Sequence, residues 1–174
     1  MLVLLGILMG AAWFGWSTVS SDDDDDDTPR ASEPTGDRCL SRQTYKKGTK
    51  IKAKTITVSV YNAGVVTGLA DETLEDLVDK GFRRGAAANA PSGLTATNVT
   101  ILTATRNSPQ VELVSRQFRG KVRILEGDVI RPGVNVLVGD NFRGVDDGAK
   151  RRLVLDRKVR TCTTSGVTAE SGSS

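Results

Sequence analysis

The stretch that decides the fold is TITVSVYNAGVVTGLADETLEDLVDKGF, residues 55–82, in which a strand pattern gives way to a turn and then to a helix pattern. From Ile56 to Tyr61, β-branched apolar residues alternate with polar or aromatic ones, which is typical of a strand with one buried face. From Ala70 onward, apolar residues recur at helical spacing and the acids fall mostly outside that stripe. Gly81 followed by Phe82 predicts a Schellman ending. We therefore predict a β-turn-α unit.

The segments that follow this unit add strands and a second helix. Ser108 before Pro109 is typical of a helix start, with Gly120 as its stop. A basic, edge-like segment precedes the unit, in which lysines alternate with apolar residues. The resulting order is β-α-β-β-α-β-β, which predicts an α+β two-layer sandwich, a mixed sheet with both helices on one face. The further strands are predicted at 83–91, around 99–103, at 122–125, at 134–138 and, as an edge strand, at 153–159.

Composition predicts long attachments around one small domain. Residues 1–19 carry no charged side chain and are long enough for a transmembrane anchor, with a cleaved signal peptide as the alternative. Residues 20–38 include six consecutive aspartates and predict a disordered acidic linker. We expect the domain at 39–162, with its core at 55–145, and a disordered tail at 163–174.

The location of the domain is predicted from what flanks the apolar segment. Almost no chain precedes it, and acids rather than basic residues follow it. A basic flank is expected on the cytoplasmic side. The prediction is a single-pass protein of the cell membrane whose domain lies on the extracytoplasmic side.

The two cysteines of the chain, Cys39 and Cys162, flank the predicted domain. An even number of cysteines in an oxidising compartment favours a disulfide, and two unrelated thiols are the alternative. A bond between them would close a loop of more than 100 residues, worth roughly 4 to 5 kcal/mol in the chain-entropy model.

The residue types limit the chemistry. The chain has no histidine, which excludes His-containing triads, histidine zinc sites and imidazole acid–base catalysis. It also lacks the G-x-S-x-G and S-x-x-K motifs and any cysteine pair at metal spacing. Asp140, Asp146 and Asp147 leave a carboxylate-based hydrolase open, although such clusters are more often turns. We predict a protein that is not an enzyme and has neither cofactor nor metal.

The turn between the first strand and the first helix is the first candidate binding site. Free N–H groups and the helix dipole favour an anion at such a position, for which Asn62, Gly64, Thr67 and Gly68 are the candidates. No dinucleotide-binding or P-loop motif is present. The alternative is that these glycines serve only the tight turn and close helix packing.

Charge gives a second candidate. All 24 Lys and Arg residues follow residue 27, whereas six of the 21 acids form the aspartate run, so that residues 28–174 hold 15 acids and a net charge of +9. Outside a cell, the available anionic partners are phosphate-bearing wall polymers and lipid headgroups. Ordinary solubility charge is the alternative. No nucleic acid is expected, because aromatic stacking clusters are absent. The candidate basic surface comprises Arg83, Arg84, Arg116 and Arg119, with Lys46, Lys47, Arg151 and Arg152 as further members.

Three short motifs carry a family resemblance. The start of the LytR C-terminal domain resembles the segment VSVYNAGVVTGLADETLEDLVDKGF. The second motif is NAP at Asn89–Pro91. The final strand of that domain resembles VNVLVGDNF. The resemblance covers about residues 55–145. The flanking cysteines and the single N-terminal span further resemble small membrane-anchored actinobacterial envelope integrity proteins. Thr105 to Asn107 departs from the family pattern, which has a small glycine-rich loop there.

The resemblance implies a role in the cell envelope. The family domain occurs as an appendage of LytR-CpsA-Psr ligases, which attach polymers to peptidoglycan, and as a free-standing anchored module, and it supplies no catalytic residues. We therefore expect a domain that supports envelope integrity by binding wall polymer or envelope-assembly proteins. The alternative is an accessory subunit that presents phosphate-bearing intermediates to those ligases through the turn and basic side chains.

Overall fold

The computed structural model describes residues 39–163, which form ten strands, two α-helices and one 3₁₀ turn. The predicted anchor 1–19, the linker 20–38 and all of the predicted tail except Thr163 lie outside the described residues. The elements are β1 Ser41–Tyr45, β2 Lys50–Lys52, the 3₁₀ turn Ala53–Thr55, β3 Thr57–Asn62, α1 Leu69–Asp79, β4 Arg83–Asn89, β5 Val99–Thr103, β6 Thr105–Arg106, α2 Pro109–Ser115, β7 Val122–Glu126, β8 Val134–Val138, β9 Arg152–Val154 and β10 Val159–Thr163.

The main sheet is mixed and has the strand order β4-β3-β8-β5-β7. Two crossover units build it: β3, α1 and β4 give one parallel pair, and β5, α2 and β7 give the other. Strand β8 joins them, because it lies parallel to β3 and antiparallel to β5. The predicted α+β two-layer sandwich is confirmed.

Both helices cover one face of this sheet. Val58, Val60 and Val136 are fully buried in one apolar cluster together with Leu74 of α1 and Val114 of α2. The opposite face carries a smaller cluster of Tyr61, Leu102 and Leu137, which the loop residues of 90–96 partly cover. The alternation seen in the first strand therefore separates two unequal apolar layers, and the helices pack on the larger one.

Helix α1 ends as the sequence predicts. Gly81 has a φ of +88°, and its N–H donates to the carbonyl of Val78 at 2.7 Å. The N–H of Phe82 donates to the carbonyl of Leu77 at 3.1 Å, and the Phe82 ring is buried. These two bonds and the left-handed glycine define a Schellman motif. The predicted β-turn-α unit is confirmed, including its C-terminal cap.

Two small antiparallel sheets flank the main sheet. One has the order β1-β10-β6, and the other pairs β2 with β9. The predicted disulfide joins Cys39 to Cys162, with their Cα atoms 5.3 Å apart, and so ties the segment before β1 to β10. Among residues 39–163, neither helix has the length and apolar content that crossing a membrane requires.

Three details differ from the prediction. Helix α2 ends at Ser115 instead of running to Gly120, because the Gln117 amide turns back and donates to the Leu113 carbonyl at 2.9 Å. The single last strand predicted at 153–159 is two strands, β9 and β10, which belong to different sheets. The basic segment at 40–54 contains β1 and β2, whereas the prediction had it only lead into the first strand.

Candidate functional site

A strongly charged concave surface of the described domain is a groove of about 1130 Å³ beside the β2–β9 pair. We call it the basic groove. No acidic side chain lines it. Small or apolar residues make up the rest of the lining. Its basic side chains are Lys50, Lys52, Lys54, Lys80, Arg116, Lys150, Arg151 and Arg152.

The pleat of β2 and β9 explains how these charges converge. Ile51 and Leu153 lie opposite each other and are buried in the main apolar cluster. Side chains alternate along a strand, so the residues on either side of these two must point outward. Lys52 therefore lies directly opposite Arg152 on the exposed face of the pair, and Lys50 lies opposite Val154. Core packing of two apolar residues thus orients three basic side chains.

Helix α1 and the loop before β9 supply further parts of the groove, together with the 3₁₀ turn and Arg116 at the end of α2. Lys80, the C-cap of α1, is only 7% exposed, and its ammonium group donates to the Asp147 carbonyl at 3.1 Å. A cation is favourable there because the carbonyl end of a helix carries partial negative charge. The buried Gln117 side chain holds the loop before β9 in place, because its amide donates to the Lys150 carbonyl at 3.1 Å.

The charges of the basic groove are poorly compensated by the residues that the structure describes. Among residues 39–163, Arg116 is the groove residue that has a carboxylate partner, Glu112 in the preceding turn of α2. The other groove cations have no ion pair within this part of the chain. Like charges directly opposite across two strands are destabilising. The Lys52–Arg152 pair is therefore an unfavourable feature of the isolated fold.

The carboxylate of Asp76 lies close enough to Lys80 of the basic groove for their charges to interact. Partial burial raises the pKa of Asp76 on α1, and the negative charges of Glu72, Asp147 and Asp79 raise it further. The ammonium group of Lys80 opposes this rise. Protonation of Asp76 therefore changes the charge near Lys80.

The four arginines predicted as a basic surface are not brought together. Arg116 lines the basic groove, whereas the other three do not. Arg84 forms an ion pair with Glu75, and Arg119 pairs with Asp147 at 3.2 Å. Arg83 is exposed at the start of β4. Of the further candidates, Arg151 and Arg152 lie in the groove, but Lys46 and Lys47 lie in the exposed turn after β1.

The predicted anion-binding turn is already occupied by groups of the protein itself. The Asn62 side chain accepts from the Gly64 N–H at 3.0 Å and donates to the Val66 carbonyl at 2.7 Å. The Val65 N–H donates to the Asp140 carboxylate at 2.7 Å. A Cβ on Gly64 would lie 2.9 Å from the Asp140 nitrogen, so this glycine permits the close approach of the two segments. Of the remaining candidates, Thr67 is exposed, and Gly68 is the left-handed N-cap of α1 with a φ of +83°.

The three aspartates considered for hydrolysis each have a separate local role. Asp140 accepts from the turn just described. The Asp146 carboxylate accepts from the Gly148 N–H at 3.1 Å, closing a tight turn, and Asp147 pairs with Arg119. These contacts agree with the turn interpretation of the GDNFRGVDDG segment.

Most basic residues of the groove were not predicted to belong to a binding surface. The lysines that alternate with apolar residues before β3 were predicted only as an edge-like pattern. The sequence does contain a signal for this surface. Lys50 and Lys52 stand on either side of an apolar residue, and Arg152 likewise stands next to the apolar Leu153. Only the pairing of β2 with β9, separated by about 100 residues in the sequence, unites the two patterns.

The comparisons with known proteins identify the family. Residues 55–142, just over half of the chain, match the family described as LytR cell envelope-related transcriptional attenuator. No curated protein matches the chain. One solved structure is similar, the soluble domain of a conserved hypothetical secreted protein (Rv2700 ortholog) from Mycobacterium marinum, with 18% identity, a TM-score of 0.45, and coverage of 60% of this chain and 79% of that one. The chain belongs to the LytR C-terminal domain family.

Proposed function

We propose that this domain binds an anionic polymer of the cell envelope in the basic groove, and that its role is binding and not catalysis. The observation that carries the proposal is the concentration of basic side chains in one concave surface without any acidic member. Surfaces of soluble domains ordinarily intersperse both signs of charge. A concave site with one sign of charge concentrates ligands of the opposite sign.

The arrangement of the groove supports a polyanion as the ligand. Keeping Lys52 directly opposite Arg152 costs stability in the free protein, and a bound anion between them would turn that repulsion into attraction. Lysines offer point charges, and arginines offer paired N–H groups that match phosphate oxygens. A phosphodiester polymer would meet several of these side chains at once.

The shape of the site favours a polymer over a membrane surface. A groove with this volume receives a strand of ligand, whereas a bilayer presents an extended, nearly flat array of headgroups. Exposed Val154 adds an apolar contact beside Lys50, which suits the carbon backbone between the phosphates of a chain.

The family and the disulfide support the envelope as the setting. The family description names the cell envelope, and disulfides persist in oxidising compartments outside the cytoplasm. Anchoring by residues 1–19 would hold the groove near the membrane, where wall polymers are assembled. In this proposal the domain retains or guides the polymer, and the ligase chemistry belongs to other proteins.

The proposal is tested by charge reversal in the groove. The variant Lys52→Glu with Arg152→Glu places two acids at the centre of the site, and we expect its affinity for poly(glycerol phosphate) to fall about 100-fold or more, since two charge-assisted contacts are lost. The matched control is Lys46→Glu with Lys47→Glu, which changes the net charge equally in an exposed turn outside the groove. The control should reduce affinity only slightly.

Two further arms separate the ligand classes. Affinity of the full chain for the polymer should fall steeply between about 50 and 200 mM salt, as it does for other polyanion complexes. Binding to phosphatidylglycerol vesicles but not to the polymer would identify a lipid-binding domain and reject the proposal. Equal effects of the groove variant and its control would show that overall charge, and not the groove, attracts the polymer.

A further inference from the structure

We infer that the domain has a second, independent binding site, which takes a short uncharged oligosaccharide. The site is a cleft of about 610 Å³ between the β1-β10-β6 sheet and the ends of three main-sheet strands, at Thr57, Thr103 and Val134. We call it the neutral cleft. Its volume lies within the usual range of roughly 300–1,000 Å³ for small-ligand sites.

The lining of the neutral cleft has an unusual composition for this protein. No Asp, Glu, Lys or Arg lines it, although these types make up 26% of the chain. Hydroxyl and amide groups match an uncharged, hydroxyl-rich ligand, because each such group both donates and accepts hydrogen bonds. The side chains that carry them are Ser41, Gln43, Tyr45, Thr55, Thr57, Thr103, Thr105, Ser108, Gln110, Thr161 and Thr163.

The strand register shows that charge is sorted between the two faces of the β1-β10-β6 sheet. On the cleft face, Ser41 lies opposite Thr163, which lies opposite Thr105, and Gln43 lies opposite Thr161. The other face carries three arginines, Arg42, Arg160 and Arg106. The three strands therefore contain charged residues, but these residues lie on the face away from the cleft. The pleat directs every charged side chain of these strands away from the cleft.

A chain of hydrogen bonds holds the polar groups of the cleft in place. Ser108 donates to the Gln110 side-chain oxygen at 2.8 Å, and the Gln110 amide donates to the Tyr45 hydroxyl at 2.8 Å. Tyr45 in turn donates to the Gln43 side-chain oxygen at 2.6 Å. This chain fixes the orientation of both amides. The Gln43 NH₂ group has no acceptor within residues 39–163 and is thus a positioned donor for a ligand hydroxyl or acetamido oxygen.

The opposite wall of the cleft is equally well defined. Gly133 has a φ of +104°, and a Cβ there would lie 2.6 Å from the Thr57 carbonyl oxygen. Only glycine allows this approach of the loop before β8 to β3. The buried Val134 and Val111 beside it give the cleft an apolar floor. An apolar floor under a polar rim suits a sugar ring, whose faces carry C–H groups and whose edge carries hydroxyls.

The experiment compares two neighbouring residues of β1 by isothermal titration of the full chain with chitotetraose and maltotetraose. Gln43→Ala removes the positioned donor, and we expect binding to weaken about two- to tenfold. Thr44→Ala is the matched control, because Thr44 is equally exposed on the same strand but faces away from the cleft. It should leave affinity unchanged, and urea unfolding of both variants should confirm an intact fold.

The outcome is distinguishable from that of the proposed function. Saccharide binding to the neutral cleft should persist in the Lys52→Glu, Arg152→Glu variant and should not change between about 50 and 200 mM salt, because no charge takes part. Three results would overturn the inference: no binding of either saccharide, equal weakening by Gln43→Ala and Thr44→Ala, or loss of binding in the groove variant. The first two of these results do not bear on polyanion binding.

Discussion

The basic groove and the neutral cleft are built in the same way yet have opposite chemistry. Each uses a small antiparallel sheet that pairs the segment before β3 with the segment after residue 150. In the β2–β9 pair, the apolar residues face the core and the basic residues face the groove. In the β1-β10-β6 sheet, the arginines face away and the hydroxyls face the cleft. The contrast shows that register, and not composition, decides the chemistry of a surface.

This dependence on register makes both sites sensitive to strand pairing. A one-residue shift of a strand moves all its side chains to the opposite face. In β1 such a shift would bring Arg42 and Thr44 into the cleft in place of Gln43. The disulfide beside β1 and the buried Ile51 and Leu153 in β2 and β9 are the features that hold the two registers.

The largest expected effect comes from removing the disulfide. Cys39→Ser with Cys162→Ser opens a loop with a sequence separation of 123 and should lower the free energy of unfolding by up to about 4 kcal/mol in urea titrations. Since β1 and β10 form one wall of the neutral cleft, loss of the disulfide should also weaken saccharide binding. Polyanion binding in the basic groove should persist wherever the variant remains folded. Equal loss of both activities would contradict the separation of the two sites.

A smaller effect is expected on the groove side. Gln117→Leu removes the donor to the Lys150 and Leu113 carbonyls but also removes a side-chain oxygen that has no partner among the described residues. We expect a net loss of about 1 kcal/mol of stability and weaker binding of poly(glycerol phosphate), with saccharide binding unchanged.

The control for Gln117→Leu is Ser115→Ala, since the Ser115 hydroxyl bonds to the Glu112 carbonyl within α2 and not to the groove loop. Stability from urea titration and polymer affinity are measured for both variants. If Ser115→Ala weakened polymer binding as much as Gln117→Leu does, the loop at 149–151 would not be the element that matters.

The smallest effect concerns pH. Because the pKa of Asp76 is raised in the folded protein, folding favours its protonated form, so its contribution to stability improves as pH falls through the folded pKa and worsens as pH rises. Asp76→Asn should therefore raise the free energy of unfolding in urea titrations slightly at pH 7, by well under about 1 kcal/mol for this exposed group, and the difference should vanish at low pH. Asp71→Asn, at the other end of α1 from Lys80, is the matched control that removes one carboxylate from the same helix.

The same substitution also tests the comparison between the two sites. Asp76 lies close enough to Lys80 for their charges to interact, so neutralising it makes the rim of the basic groove more positive. Polyanion affinity should rise slightly at pH 7, and saccharide affinity should not change. A rise in both affinities would indicate a general structural effect.

Local patterns were sufficient to predict the centre of the fold. The strand β3, the apolar stripe of α1 and the Gly81–Phe82 ending depend on residues close together in sequence, and the structure confirms each of them. The single buried face predicted for β3 was wrong, because β3 lies between β4 and β8 and is buried on both faces. The Ser108 cap of α2 is confirmed for the same reason, with its hydroxyl accepting from the Val111 N–H at 3.4 Å. The predicted end of α2 at Gly120 was wrong. The helix ends earlier because the Gln117 amide bonds to the Leu113 carbonyl and to the carbonyl of Lys150, which is distant in sequence.

The two candidate sites could not be predicted because they depend on pairing between distant segments. Strands β1 and β10 lack apolar alternation, so their sequences resemble loops until each is paired with the other. Likewise, nothing near Lys52 in the sequence indicates that Arg152 lies opposite it. Local pattern reasoning predicts elements that have a buried face, and it misses strands whose exposed faces carry the function.

The disulfide between Cys39 and Cys162 also determines how the domain responds to mechanical force. The two ends of the described chain leave the domain side by side, since the cysteine Cα atoms are 5.3 Å apart and the Leu40 N–H donates to the Thr163 carbonyl. A pull exerted between the segments outside the two cysteines therefore passes through a covalent bond and not through the hydrogen bonds of the sheets. Every helix of the described domain and most of its strand residues lie inside the closed loop, where such tension does not reach them.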